Sequence, residues 1–218
     1  CTGTLTKTKN NNYLFSTVWW DGISEEGPDY YFMLFNGQGD LLTSKIHGTF
    51  NVFDVALYHN VTNDGGFIVS GFTGLNGTKD IYVMRLDSSL NLLWDATYTN
   101  PENNRFERSS SISQDFDGGF VLGGFTAESD ISESDYYGEG DGLIIKIDSI
   151  GNEQWRINTG TEDDDCEAFV RPSQYMPTSY IYIACDGHGF TPTADDEDKD
   201  FFDLIVRRLG RIYHQIRP

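Results

Sequence analysis

Asp64-Gly65-Gly66-Phe67-Ile68-Val69-Ser70-Gly71-Phe72-Thr73 returns 53 residues later as Asp117-Gly118-Gly119-Phe120-Val121-Leu122-Gly123-Gly124-Phe125-Thr126. Self-similarity at a fixed spacing marks a repeat architecture, and that decides the fold before any single element is read. A second block follows each copy. It reads Asp80-Ile81-Tyr82-Val83-Met84-Arg85-Leu86-Asp87, the turn Ser88 to Asn91, then Leu92-Leu93-Trp94. Its counterpart is Asp141-Gly142-Leu143-Ile144-Ile145-Lys146-Ile147-Asp148, the turn Ser149 to Asn152, then Glu153-Gln154-Trp155. The offset is now 61, so eight residues have entered one connection, which repeat folds tolerate.

Two degenerate copies flank this pair. Upstream, Asn12 to Val18 and Asp29 to Phe35 stand for the two blocks, with Asn36 to Asp40 as the turn. Downstream, Tyr180 to Cys185 and Asp203 to Leu209 repeat the pattern, and Gly210 to Ile216 takes the last place. A further strand precedes each copy: Leu5 to Thr8, Asp54 to Val61, Ser109 to Gln114, and Glu167 to Ser173. The apolar runs are short, β-branched or aromatic, and bounded by turn residues, as strands require. Asp-Gly between two of them favours a hairpin turn with positive φ. Each unit thus has four strands, A to D, and the chain is expected to be all-β. Four such units match a β-propeller of four four-stranded blades, at about 1–48, 49–99, 100–160 and 161–218 of a single domain. The alternative is half of a larger ring completed by another chain.

Asp-Gly-Gly-Phe-Ile/Val-Val/Leu-x-Gly-Phe-Thr, followed by Asp-x-x-Ile/Val-x-Lys/Arg-Ile/Leu-Asp-Ser-x-Gly-Asn-x-x-Trp, resembles a widespread propeller repeat of bacterial and archaeal secreted and surface proteins. The resemblance spans essentially the whole chain and is strongest in the middle two units. It implies a propeller and an extracytoplasmic location. It brings no catalytic residues with it.

The 218 residues carry 34 acidic against 15 basic side chains, a net charge of −19. Such a surface does not bind nucleic acid through its phosphates. It suits a protein partner or another cationic surface. No run approaches the ~18 apolar residues of a membrane span, so a membrane enters only through a lipid anchor. In a propeller the B–C and D–A connections share one face, and that face collects 25 of the 34 acids. Variable loops on a rigid scaffold are where binding resides, and this is the expected binding face.

Two clusters there are candidate Ca²⁺ ligands: Asp135, Glu139 and Asp141, and Asp195, Asp196, Asp198 and Asp200. Clustered carboxylates suit a hard cation, although neither cluster has EF-hand spacing, and solvated acidic loops are the plainer reading. No other cofactor is expected. Cys166 opens the last A strand and Cys185 closes the last B strand, so antiparallel pairing brings them within disulfide reach. Cys1 is a candidate for lipidation, as in a mature bacterial lipoprotein. Asn60 and Asn76 head N-x-Thr sequons.

The four histidines show no metal spacing, and only His188, beside Asp186, sits where chemistry is expected. Trp94 and Trp155 repeat and read as packing between units. Trp19 and Trp20 break the repeat beside an acidic loop and are candidate ligand contacts.

These features favour a non-enzymatic binding or assembly module. The alternatives are a propeller lyase or glycoside hydrolase, which needs two carboxylates about 5–10 Å apart, and a structural subunit of a filament or envelope complex. For the cysteines the expectation is direct. Non-reducing peptide mapping should recover Cys166 and Cys185 in one cross-linked fragment, and both reacting with a thiol reagent without prior reduction would dismiss the pairing.

Overall fold

Turn chemistry sets the architecture. In the computed structural model, Thr62, Asp115 and Thr8 each start a five-residue hairpin whose first N–H donates to the fifth carbonyl, at 2.9, 2.8 and 2.8 Å. The fourth residue donates back to the first carbonyl. That residue has positive φ: Gly65 and Gly118 at 86°, and Asn11 at 58°. Glycine adopts this conformation without Cβ strain, and asparagine is among the residues that tolerate it.

The structure describes residues 3–19, 29–48, 53–74, 79–99, 105–128 and 140–159, and the four strands of a last sheet within 169–213. The first sheet contains β1 (Thr4–Lys7), β2 (Tyr13–Trp19), β3 (Asp29–Phe35) and β4 (Leu41–His47). The second contains β5 (Phe53–Val61), β6 (Phe67–Gly74), β7 (Asp80–Leu86) and β8 (Leu92–Tyr98). The third contains β9 (Arg105–Gln114), β10 (Phe120–Glu128), β11 (Gly140–Ile147) and β12 (Glu153–Thr159). The fourth contains β13 (Phe169–Pro172), β14 (Ser179–Ala184), β15 (Asp203–Arg208) and β16 (Arg211–Tyr213). All four are antiparallel meanders in chain order, so the chain is all-β as expected.

Several strand limits move. β1 ends at Lys7 because Thr8 opens the turn. β9 starts at Arg105 rather than Ser109. Its first residues pair with Phe125–Glu128 beyond a bulge, and a bulge hides strand continuity from a period-two reading. β5 carries a bulge at the equivalent place, between Ala56 and Tyr58.

The sheets pack face to face in sequence. Leu14, Tyr30 and Phe32 of the first meet Phe67, Val69 and Met84 of the second. Ile68, Ile81 and Val83 on the other side of the second meet Phe120, Leu122 and Ile145 of the third. Strands of an internal sheet are therefore buried on both sides, which is why Phe67-Ile68-Val69 is apolar without alternation. β13 lies along β9 and β10.

The C–D turns are closed by side chains. Asp87 Oδ1 accepts from the N–H groups of Ser89 and Asn91 at 2.8 and 2.9 Å, and Asp148 holds Ile150 and Asn152 in the same way. Position four of this turn has positive φ at Gly39, Leu90 and Gly151. For a leucine that conformation costs about 1–2 kcal/mol. Leu90 is wholly buried in the first core, a gain of about 2 kcal/mol, and burial offsets the strain.

One interaction ties each central A–B turn to strand C. Arg85 Nη2 lies 2.7 and 2.6 Å from the two carboxylate oxygens of Asp64, and its Nη1 donates to Phe67 O at 3.0 Å. Lys146 Nζ lies 2.8 Å from Asp117 and 3.0 Å from buried Asp115. The second turn glycine makes room for the cation. A Cβ on Gly66 or Gly119 would stand 2.5 Å from Arg85 Nη1 or Lys146 Nζ. Removing one partner of a buried pair leaves an uncompensated charge, at about 3–5 kcal/mol. Lys146→Met should therefore lower the unfolding free energy in urea by about 3 kcal/mol. Lys146→Arg should cost about 1 kcal/mol, since arginine holds that seat in the second sheet. Equal tolerance of the two variants would show that the ion pair is not what holds the turn.

Candidate functional site

The meander sorts the connections into two ends. Neighbouring A–B turns touch: Lys9 Nζ donates to Asn63 O at 2.9 Å, and Asn63 N to Gln114 Oε1 at 2.7 Å. Within each sheet the opposite strand ends carry the B–C and D–A connections, among them the long acidic ones at 20–28, 129–139, 160–168 and 185–202. The candidate surface is therefore the loop-bearing end, and its base is well described in the first three sheets.

That base is a layer of rings and cations. Phe72 and Phe125 come from the repeated Gly-Phe-Thr, and Phe106 from β9 stands between them with both centroids at 6.5 Å. Lys79 Nζ lies 4.6 Å above Phe72 and 4.9 Å from Phe106, and the Arg108 guanidinium lies 5.8 Å from Phe125. Such contacts contribute about 0.5–1 kcal/mol each at partly exposed sites. Glu107 N donates to Lys79 O at 2.7 Å, which locks the third sheet to the second at this end.

The acids assigned to the connections divide in two. Asp54 and Glu107 belong to β5 and β9 and are buried, not solvated on loops. Glu107 Oε1 accepts from Arg156 Nη1 at 2.9 Å, and Arg156 also bridges Glu153 at 3.1 Å. Asp29, Asp80 and Asp141 are each among the first two residues of a C strand. Partial burial pushes the Asp80 carboxyl above its ordinary value, against a hydrogen bond from Thr99 and the charge of Arg156. Burial and the nearby Asp54 push the Tyr30 phenol up, and its OH donates to Phe72 O at 3.1 Å.

Of the candidate residues, Trp19 ends β2 at the loop end, 47% exposed and edge-on to Tyr31 at 5.6 Å. Asp141 pairs with Thr126 in the sheet. Asn60 is exposed on β5 while the hydroxyl of its sequon Thr62 is turned inward to Asp64 at 2.5 Å. Cys1, Trp20, Asn76, Asp135, Glu139, Cys166, Cys185, His188, Asp195, Asp196, Asp198 and Asp200 lie outside the described residues. Among the described residues no group of three or more His, Cys, Asp or Glu side chains is placed to hold a metal ion. Trp94 does pack between units: its ring lies 6.0 Å from Phe120 and its N–H donates to Ser149 O at 3.2 Å.

Two features were missed in the sequence. A cleft of about 210 Å³ opens at the turn end between the first two sheets, lined by Asn10, Asn12, Leu34, Asn63, Asp64 and Phe67 among others. It sits where the first sheet has Leu34 in the place of Arg85 and Asn10 in the place of Asp64. The other is a buried Ser16–His59 pair, sharing a hydrogen bond of 2.8 Å through Nδ1. Nε2 of that ring has no hydrogen-bond partner among the described residues. Burial holds His59 at a pKa of about 4, so the ring is neutral at pH 7. Both side chains are enclosed between sheets and reach no substrate.

No family model matches the chain, and no curated protein matches it either.

The His59 ring gives a pH dependence. Its pKa is lower folded than the ordinary 6.5 of an unfolded histidine, so the native state binds fewer protons between the two values. Stability is complete above about pH 6.5 and falls as pH drops toward 4, by about 3 kcal/mol. The carboxylates held below their ordinary range, Asp64 and Asp117, act only at lower pH. Between pH 7.5 and 5, the urea midpoint should fall more in wild type than in His59→Gln, and parallel curves would refute the assignment.

Proposed function

We propose that the four sheets are blades of a β-propeller, and that the chain is a non-enzymatic, extracytoplasmic binding or assembly module. Its loop-bearing end takes the cationic surface of a protein partner. Four-stranded meanders stacked face to face in chain order support the blade reading. The extracytoplasmic reading rests on the resemblance of the repeat and on the Cys166–Cys185 pairing.

One observation carries the binding reading. The connections of this end leave each sheet from the same side, residues 20–28, 49–52, 100–104, 129–139 and 160–168 contain no lysine or arginine, and residues 185–202 set one lysine, Lys199, against six acids. Lys79, a cation of the 75–79 connection, is already engaged with Phe72 and Phe106. The carboxylates there have little positive charge beside them, and their fields add. Beyond a Debye length of about 8 Å salt screens this field, so it steers and orients a partner more than it grips one. The Ser16–His59 pair is sealed and neutral and lends no support to a hydrolase.

The test is calorimetric, with a lysine-rich peptide as probe. Wild type should bind it more weakly as salt rises. Changing Asp195, Asp196, Asp198 and Asp200 to Asn, together with Asp163, Asp164 and Asp165, should weaken binding at least about tenfold. Unchanged affinity would remove the loop end from consideration. A parallel titration with CaCl2 separates the second use of these carboxylates: heat seen in wild type and lost in the variant would make them cation ligands.

A further inference from the structure

Each junction between sheets joins two defined sides. The earlier sheet offers the side carrying the second residue of its B strand, Leu14 or Ile68. The later sheet offers the side carrying the first and third, Phe67 with Val69 or Phe120 with Leu122. By the same register the first sheet has its own first-and-third side. Tyr13 and Phe15 of β2 stand there, with Phe35 and Met33 opposite on β3.

That side is built to be covered. Asp29-Tyr30-Tyr31-Phe32-Met33-Leu34-Phe35 is apolar on both sides, as a strand buried twice is and a half-solvated one is not. At the equivalent places in the second and third sheets, Val69, Met84, Leu86, Leu122, Ile145 and Ile147 are at most 1% exposed. In the first sheet Phe15, Met33 and Phe35 are only partly buried. Leu5 of β1 is 62% exposed, where its counterparts His59 and Ile112 are 7% and 4%. The fourth sheet carries the opposite half of the junction pattern: Ile181 is registered with Val206, and Ile183 with Leu204, at second-and-fourth positions. Its β13 is seated on β9 and β10 of the third sheet while the first sheet's side stays open.

We propose that this open side receives the fourth sheet of a second copy of the chain, head to tail, so that two chains close one eight-bladed ring. The proposal rests on the reading of the sheets as blades. The junction is heterologous, and two copies satisfy both of its halves without leaving an open end. Eight blades lie within the usual range of closed propellers. Each chain brings a net charge of −19, so like-charge repulsion opposes the pair and salt relieves it.

Light scattering on a sizing column at high ionic strength tests this, with peroxide oxidation of Met33 read by mass spectrometry. Wild type should run as a dimer with Met33 protected. Met33→Asp and Ile183→Asp should each run as a folded monomer by circular dichroism. Their equimolar mixture should recover a dimer, because one of its two junctions is then wild type. Leu5→Asp, at an exposed position, should also dissociate the dimer and serves should Met33→Asp fail to fold. A monomer with Met33 protected would mean that the chain's own fourth sheet closes the ring, overturning the dimer and leaving the blades. A monomer with Met33 oxidised would overturn both, and a dimer indifferent to Met33→Asp and Leu5→Asp would overturn the interface.

Discussion

A cation buried beneath a hairpin turn is the constraint on which the central sheets depend. Arg85 and Lys146 lie in the third strand of their sheets with almost no access to water. Desolvation of such a group costs several kcal/mol unless it is fully paired. The pairing fixes an acid at the centre of the preceding turn, Asp64 or Asp117. It goes with a residue without Cβ two places later, because a Cβ on Gly66 or Gly119 would strike the carbonyl of Leu86 or Ile147 and the cation beside it. Two motifs 21 residues apart in the second sheet and 29 in the third, Asp-Gly-Gly and Lys/Arg-Ile/Leu-Asp, are one structural unit for this reason. The same contact aligns the B and C strands, and so decides which side chains face which neighbouring sheet.

The first sheet shows how the unit changes when the cation is absent. Leu34 replaces the arginine and Asn10 the aspartate, so no charge is left buried and unpaired. The turn keeps its backbone hydrogen bonds with Asn11 in the positive-φ place, and a cleft of about 210 Å³ lies between this turn and that of the second sheet. The C–D turn of this sheet changes in a similarly compensated way. Asn36 and Asp40 exchange amide and acid relative to Asp87 and Asn91, yet the amide N–H still donates to the carboxylate, at 2.9 and 2.7 Å. His47 and Tyr98 also do one job with different chemistry. Each donates from the end of its D strand to the carbonyl of the positive-φ residue in the next sheet, Leu90 at 3.0 Å and Gly151 at 2.7 Å.

Most of the strand content was legible because repetition supplied several readings of each element. Asp117-Gly118-Gly119 explains what Asn10-Asn11-Asn12 must be, which no inspection of three asparagines would establish. The early start of β9 was hidden by its bulge, where Ser109 and Ser111 flank one extra residue and the side-chain alternation breaks. Buried Asp54 and Glu107 were misread for a related reason. An acid beside an acidic connection looks solvated, and only the Arg156 ion pair, 49 residues away in the chain, reveals that Glu107 is interior. The Ser16–His59 pair was equally invisible, since it joins different sheets and, although Ser70 stands at the Ser16 place in the second sheet, no histidine recurs at the His59 place. Of the candidate site, the loop end was legible as a place, through its charge. Its aromatic and cationic base was not, because Lys79 and Phe106 come from connections and strand ends that the repeat does not align.

Stacking in chain order also explains where the repeat has drifted. In an array whose units touch only their neighbours, stability is a sum of unit and junction terms. The second and third sheets each serve two junctions, so a change in Ile68 or Leu122 is felt across a core shared with another sheet. Their strands must satisfy both sides at once, and their motifs match closely. Apolar sides supply most of the energy but little direction, and polar contacts such as Lys9 to Asn63 and Trp94 to Ser149 set one sheet's place on the next. The first sheet meets a following neighbour but leaves its other side open in this chain, and so carries fewer of these constraints. Its turns depart from those of the second and third sheets while its B and C strands stay apolar on both sides, which is the pattern the proposed junction requires.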